Sequence, residues 1–125
     1  MMSEDISRLP PQIQQRLLRL QQSQQTLQGV MAQKQQLTLQ LTEVEQAVSE
    51  LEKLTETAVI YKSIGALLVK SEKDKVTAEL TERKELLKMR VDVLTKQEER
   101  LRTQVKDLQE KLQKDLRPVS GSSLG

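Results

Sequence analysis

The side chains in this sequence that could do chemistry are lysine, arginine, aspartate and glutamate, together with a single tyrosine, because the chain has no histidine and no cysteine. Histidine is the commonest general acid, general base and metal ligand in proteins. Without cysteine, neither a disulfide framework nor a thiolate metal site can form. The sequence also lacks a glycine-rich phosphate-binding loop. It therefore predicts a protein that is not an enzyme, with no catalytic residue, no metal site and no cofactor.

The charged side chains are numerous but balanced, with 20 Lys and Arg against 18 Asp and Glu. Nucleic-acid binding favours a basic stripe interleaved with aromatic residues, yet residues 72–117 hold thirteen basic and eleven acidic side chains. Tyr61 could stack on a ligand or a base, but a single aromatic residue in a β-branched segment more often packs in a core. The charges, including the run from Lys73 to Lys75, are interpreted as solvated helix faces, and no nucleic-acid partner is predicted.

The composition is that of long helices rather than of a compact domain. Of the 125 residues, 36% are hydrophobic, 30% are charged, and neither Phe nor Trp occurs, which is typical of coiled coils. No apolar run reaches the roughly 18 residues that a membrane span needs. The N-terminal stretch MMSEDISRLPP lacks the basic flank and apolar core of a signal peptide. We therefore expect no membrane partner and a cytoplasmic location.

The first of two coiled-coil helices is predicted at 10–57, after a flexible N-terminus at 1–9. It begins at a Pro-Pro pair, which suits the first turn of a helix, and it carries the alternating 3-4 spacing of a coiled-coil seam. Polar residues such as Arg16 and Ser23 interrupt this seam toward the N-terminus. Of its fourteen seam positions, the ten apolar ones are Ile13, Leu20, Leu27, Val30, Leu37, Leu41, Val44, Val48, Leu51 and Ala58.

The second coiled-coil helix is predicted at 71–117. Ser71 and Asp74 have the spacing of a capping box at its start, and Pro118 is expected to stop it, leaving a disordered tail at 118–125. The two seams have comparable length, which predicts that the helices pair antiparallel within the chain and form a rod. Of the ten seam positions here, the eight apolar ones are Leu80, Leu87, Val91, Leu94, Leu101, Val105, Leu108 and Leu112.

The segment at 58–70 departs from the helical pattern. It is rich in β-branched residues, and Gly65 lies between two apolar clusters, which is typical of a β-hairpin. Lys62 and Lys70 are expected to be solubilising charges at its edges. The alternative is a loop with a buried helical turn and no assembly role.

A lone hairpin is marginal in water and exposes two unpaired edges, whereas hairpins of several chains laid edge to edge can close into a barrel. The predicted fold class is therefore mainly α, with a long antiparallel two-helix coiled coil joined by a central β-hairpin that assembles into an intersubunit β-barrel. The predicted oligomerisation residues are Val59, Ile60, Tyr61, Ile64, Gly65, Leu67, Leu68 and Val69.

The stretch IYKSIGALLVK at 60–70, followed by a short charged turn and by Leu80, Arg83 and Leu87 in a second coil, resembles the β-class subunits of archaeal-type prefoldin. The resemblance covers roughly residues 10–115, and the hairpin is its specific part. It implies a heterohexamer of two α-class and four β-class subunits, whose hairpins form a double β-barrel body that carries six coiled-coil tentacles. Because the α-class carries two hairpins and this chain has one, the resemblance assigns the chain to the β-class.

The resemblance also implies a function. Prefoldins of this kind are ATP-independent chaperones, or holdases, that hold unfolded client proteins between the tentacle tips and deliver them to a group II chaperonin. The implied partners are therefore a prefoldin α-class subunit, unfolded clients and a group II chaperonin.

The helix ends far from the hairpin carry more apolar residues than one two-helix seam can bury, so some must face outward. Exposed apolar side chains there would bind unfolded chains weakly, and several ends acting together would gain affinity through effective concentration. The predicted client-binding residues are Ile13, Leu17, Leu18, Leu20, Leu108, Leu112 and Leu116. The alternative is that Leu17, Leu18 and Leu116 are merely frayed helix ends.

The alternative function is that of a structural or tethering coiled-coil scaffold, in which the helices pair with other chains rather than with each other. Mass and shape would separate an extended dimer of that kind from a compact-headed hexamer. A prefoldin-like subunit that serves a different scaffold is a further alternative.

Overall fold

A computed structural model describes residues 8–124, with side chains described as far as Leu116. The predicted flexible segment at 1–9 therefore lies largely outside the described residues. Two long helices are joined by a small antiparallel hairpin, as the sequence predicts. The elements in chain order are α1 (Pro11–Glu52), β1 (Ile60–Ile64), β2 (Leu67–Ser71) and α2 (Lys73–Leu124). No helix in the described part of the chain is both long and apolar enough to cross a membrane.

Helix α1 begins where the Pro-Pro pair predicts. The carbonyl of Pro10 accepts hydrogen bonds from the backbone N–H groups of Ile13 and Gln14, both at 3.0 Å. Pro11 occupies the first turn, where its missing N–H has no intrahelical partner to lose. The fixed φ of proline thus starts the helix without a cost in hydrogen bonds.

The end of α1 lies at Glu52, so the predicted end at 57 is wrong. The N–H of Leu54 donates to the carbonyl of Leu51 at 3.1 Å, which tightens the last turn to an i to i−3 bond. The N–H of Ala58 then donates to the carbonyl of Thr55 at 3.1 Å in a separate turn. Because threonine loses side-chain freedom in a helix, the stretch after Leu54 favours this turn over further helix.

Helix α2 begins at Lys73, and β2 extends to Ser71. The predicted boundary between the hairpin at 58–70 and the helix at 71–117 is therefore wrong. The first backbone bond of the helix runs from Val76 N–H to the carbonyl of Glu72, at 3.0 Å. Strand pairing holds Ser71 opposite Ile60. Ser71 therefore belongs to strand β2, although the capping-box spacing placed it at the start of the helix.

Helix α2 also continues past its predicted end at residue 117. The structure carries it to Leu124, and the disorder expected at 118–125 stays a prediction. Proline removes one N–H donor from a helix, but adding turns to an existing helix is far easier than starting one. The missing donor of Pro118 therefore does not by itself end the helix.

The hairpin is a two-residue connection in which Ile64 pairs with Leu67 across Gly65 and Ala66. Gly65 has φ +57°, and among the described residues no residue other than glycine has a positive φ. A positive φ at the first central position alone is the pattern of a type II′ turn, which matches the twist of the flanking strands. Gly65 is therefore required by the turn, and the alternative of a loop with a helical turn is excluded.

The chain divides into two compact units, the hairpin unit at Gln33–Leu94 and the terminal unit at Met1–Ala32 with Thr95–Gly125. In the hairpin unit, Val44 and Val48 of α1 pack with Leu87 of α2 in a buried cluster. In the terminal unit, the guanidinium of Arg16 pairs with the carboxylate of Asp115. Each unit thus shows α1 and α2 packed side by side in opposite directions.

The seam predicted from the 3-4 spacing is confirmed. Thirteen of its fourteen positions on the first helix are buried or half-buried, and the exception, Thr55, follows the end of α1. All ten predicted positions on α2 are buried or half-buried. Polar residues at these positions, such as Ser23, are half-buried with the rest, because the helix geometry turns them inward regardless of type.

Candidate functional site

The hairpin exposes its apolar side chains to an unusual degree. Leu68 is 72% exposed and Tyr61 is 61% exposed. Soluble monomers rarely expose contiguous apolar patches of this kind, and such patches mark interaction sites. Of the predicted oligomerisation residues, Ile60 is half-buried, and the exposed ones are Val59, Tyr61, Ile64, Gly65, Leu67, Leu68 and Val69.

The register of the two strands defines the two faces of the hairpin. Tyr61 lies opposite Lys70, and Ser63 lies opposite Leu68, which places these four side chains on one face. The other face carries Ile60, Lys62, Ile64, Leu67, Val69 and Ser71. The second face is therefore largely apolar, whereas half of the first face is polar, and Tyr61 does not pack in a core of its own chain.

The edges of the hairpin are also unpaired. Among the described residues, β1 and β2 make up the entire sheet, so the outer edge of each strand presents free N–H and C=O groups. Such edges are templates for pairing with another strand. The exposed faces and the free edges together give the hairpin the properties of an element that pairs with other hairpins.

Lys62 ties the hairpin to α2, which corrects the expectation that it is a free solubilising charge. Its ammonium donates to the carboxylate of Glu79 at 2.6 Å. This hydrogen bond is the largest effect on Glu79, and although desolvation opposes it, the hydrogen bond and the weaker Coulombic attraction of Lys62 and Lys75 together lower the pKa of Glu79 below its ordinary value of 4.5. Glu79 therefore stays ionised and fixes the Lys62 face of the hairpin toward the helix.

The structure corrects the interpretation of Lys73 as part of a solvated helix face. Its side chain is only 14% exposed, and its ammonium donates to the backbone carbonyl of Leu54 at 2.7 Å. The carboxylate of Glu56 lies 3.6 Å from the same nitrogen. A lysine in the first turn of a helix is unfavourable because it lies at the positive end of the helix dipole. This unfavourable position was the feature of the sequence that could have indicated a special role for Lys73.

The predicted client-binding residues all belong to the terminal unit, but the structure places them in different environments. Leu18 is 56% exposed and Leu116 is 48% exposed, whereas Leu108 and Leu112 are buried in the seam. The half-buried members are Ile13, Leu17 and Leu20. Of the predicted client-binding residues, Leu18 and Leu116 are therefore the exposed ones, and Leu17 is next to Leu18 in sequence.

Comparison with known proteins agrees with the hairpin and the seam. Residues 14–118 match the family model for prefoldin subunits. The chain is 45% identical over 113 residues to prefoldin subunit beta of Thermococcus onnurineus, covering 90% of this chain and 97% of that protein. It is 44% identical over 110 residues to prefoldin subunit beta of Pyrococcus furiosus, covering 88% and 94%.

Solved structures give the same relationship. The crystal structure of the prefoldin beta subunit from Thermococcus strain KS-1 superposes with a TM-score of 0.82 at 46% identity, covering 87% of this chain and 96% of that one. The beta2 subunit from the same strain shares the fold with a TM-score of 0.66 at 24% identity.

Proposed function

The chain belongs to the prefoldin family of chaperone subunits, and we propose that it is an ATP-independent holdase that captures unfolded proteins at its helix ends and delivers them to a group II chaperonin. The observation that carries the proposal is the exposure of apolar side chains both on the hairpin and at Leu18 and Leu116 of the terminal unit. A chaperone of this kind needs one surface for assembly and another for clients. We further propose that it acts in the cytoplasm.

The proposed assembly is a heterohexamer of two α-class and four β-class subunits. Each hairpin has exposed apolar residues on both faces and unpaired edges, which one chain cannot cover by itself. Pairing with the hairpins of neighbouring subunits would satisfy the edge N–H and C=O groups and bury the face that carries Leu68 inside a closed barrel. Tyr61 would then reach the core environment that its residue type favours.

Client capture is proposed at the exposed leucines of the terminal unit. Leu18 and Leu116 present apolar side chains beside polar and charged neighbours, a surface that binds apolar segments without selecting a sequence. One such site binds weakly, but several in one assembly raise the effective concentration of the client and thus the overall affinity. The cycle needs no nucleotide, because release to a chaperonin can follow from competition between weak contacts.

The test is a variant carrying Leu18→Ser and Leu116→Ser, assembled with a prefoldin α-class subunit. We expect binding of a denatured client to weaken by at least about tenfold, since full burial of one leucine is worth about 1.5–3 kcal/mol. Native mass spectrometry should show the same hexamer as the wild type. The matched control is Leu39→Ser, because Leu39 is 60% exposed on α1 but lies in the hairpin unit. Equal client binding by the double variant and the control would contradict the proposed site.

The scaffold alternative has one observation in its favour. Leu86, Met89 and Val93 form an exposed apolar stripe along α2 at helical spacing, which a helix of another chain could cover. A scaffold of that kind would form an extended dimer, whereas the proposed chaperone forms a hexamer with the hairpins at its centre. Small-angle scattering and mass measurement on the chain with an α-class subunit distinguish the two.

A further inference from the structure

The junction between the hairpin and the coiled coil contains a half-buried cation outside the exposed apolar surface of the hairpin. Lys73 is the first residue of α2, yet its ammonium reaches back across the hairpin to the carbonyl of Leu54, just after the end of α1, at 2.7 Å. Nineteen residues of sequence separate the two groups. The contact therefore joins the end of α1 to the start of α2 at the base of the hairpin.

The position of the charge explains why this contact is strong. A cation in the first turn of α2 is disfavoured by the partial positive charge of that helix end, but it is favoured at the C-terminal end of α1, where unpaired carbonyls give a partial negative charge. The carboxylate of Glu56, 3.6 Å away, adds an opposite charge. The Lys73 side chain is only 14% exposed, whereas that of Glu56 is 70% exposed, so solvent screens the attraction of the ammonium to the carbonyl of Leu54 less than its attraction to Glu56.

A second lysine ties the hairpin at another point. Lys62, in the middle of β1, donates to Glu79 in the second turn of α2 at 2.6 Å. Lys73 fixes the base of the hairpin and Lys62 fixes one of its faces, so the two contacts together restrict the angle between the hairpin and α2. Both contacts lie within the hairpin unit.

We propose that Lys73 is a positioning residue for assembly, which sets the angle at which the hairpin leaves the coiled coil so that neighbouring hairpins meet edge to edge. The inference rests on the proposed function of the hairpin as the assembly element. A strand of five residues is about 17 Å long at ~3.3 Å per residue. A swing of about 10° would move its far end by ~3 Å, as far as the length of a hydrogen bond.

The test compares Lys73→Met with Lys73→Arg and with Lys53→Met in the full chain. Methionine keeps an apolar stem but removes the charge, and arginine keeps the charge. Lys53 is the matched control, because it pairs with Glu50 at 3.2 Å through side chains that are both largely exposed. Because the chain has no cysteine, spin labels at Ser63→Cys and Glu45→Cys report the distance between hairpin and coil, with the labelled chain diluted in unlabelled protein.

Two results are expected of Lys73→Met. The label distance distribution broadens in the chain alone, and the concentration for half-assembly with an α-class subunit rises about tenfold, as loss of a charged hydrogen bond predicts. Lys73→Arg restores both toward the wild type, and Lys53→Met changes neither. A merely structural role would instead lower the unfolding temperature of the helices without broadening the distance distribution.

Unchanged distances and unchanged assembly in Lys73→Met would overturn the inference, as would an unfolding effect without broadening. Failure of the wild type itself to assemble would overturn the proposed function and this inference together. Normal wild-type assembly with an unaffected Lys73→Met variant would overturn the role of Lys73 alone.

Discussion

Replacing Leu68 by alanine should impair assembly far more than it impairs the fold of the chain. Leu68 is 72% exposed on the hairpin, so most of its apolar surface is in contact with solvent in the single chain and can be buried on assembly. Leu87 is the matched buried residue, because it is 4% exposed in the core of the hairpin unit. The change to alanine should therefore mainly weaken assembly at Leu68 and mainly destabilise the fold at Leu87.

The magnitudes follow from the exposed fractions. Leucine to alanine removes the equivalent of about three methylene groups, or ~2.4 kcal/mol at about 0.8 kcal/mol each. With 72% of Leu68 still exposed, about 1.7 kcal/mol of this is available to assembly and ~0.7 kcal/mol to the fold of the chain. At Leu87 the change leaves a cavity and should cost the fold about 2–5 kcal/mol.

The assay measures both quantities for each variant. Native mass spectrometry across a concentration series with an α-class subunit gives the midpoint of assembly, and far-UV circular dichroism in denaturant gives the free energy of unfolding of the chain. Leu68→Ala should shift the assembly midpoint by more than tenfold, since about 1.4 kcal/mol is a factor of ten. A Leu68→Ala chain that unfolds as readily as Leu87→Ala, yet assembles normally, would show that Leu68 stabilises the fold and not the assembly.

Two further predictions concern the glycines and the Glu79 contact. Gly65→Ala should cost the hairpin about 1–2 kcal/mol, because φ is +57° there, and hydrogen exchange of the hairpin should accelerate; Gly29→Ala, with open space at its Cβ, should raise the free energy of unfolding by about 1 kcal/mol. Normal exchange in Gly65→Ala would contradict the turn assignment. Because the pKa of Glu79 is lowered from 4.5 by Lys62, its contact should be fully present above pH 4.5 and lost as pH falls through the lowered value. The spin-label distance should broaden over that range in the wild type, and an equal response in Glu79→Gln would contradict the role of Glu79.

The seam and the hairpin could be predicted because both depend on local periodicity. The 3-4 spacing from Ile13 onward fixes which side of α1 faces α2, whatever the residue type, and this is why half-buried Ser23 follows the prediction as well as Leu27 does. The hairpin could be predicted from the β-branched residues on either side of Gly65. Glycine adopts a positive φ without strain, so Gly65 marks the position of the turn.

The junction could not be predicted in the same way. Lys73 and the carbonyl of Leu54 are nineteen residues apart in sequence, and the hairpin brings them together. No local sequence pattern predicts a contact over that separation. The end of α1 was likewise missed, because helix propensity falls only gradually toward Thr55 and Thr57. The 3-4 spacing placed Leu112 in the seam and Leu116 outside it, as the structure has them, whereas the prediction of client-binding residues grouped the buried Leu112 with the exposed Leu116.

The most direct test of the central claim is light scattering from a chemically denatured client, diluted into buffer that contains the chain assembled with a prefoldin α-class subunit and no nucleotide. We expect scattering to be suppressed at about one complex per client, because the exposed leucines of several subunits bind the same client. Unchanged scattering from a well-formed hexamer would contradict the claim that this chain is a holdase subunit.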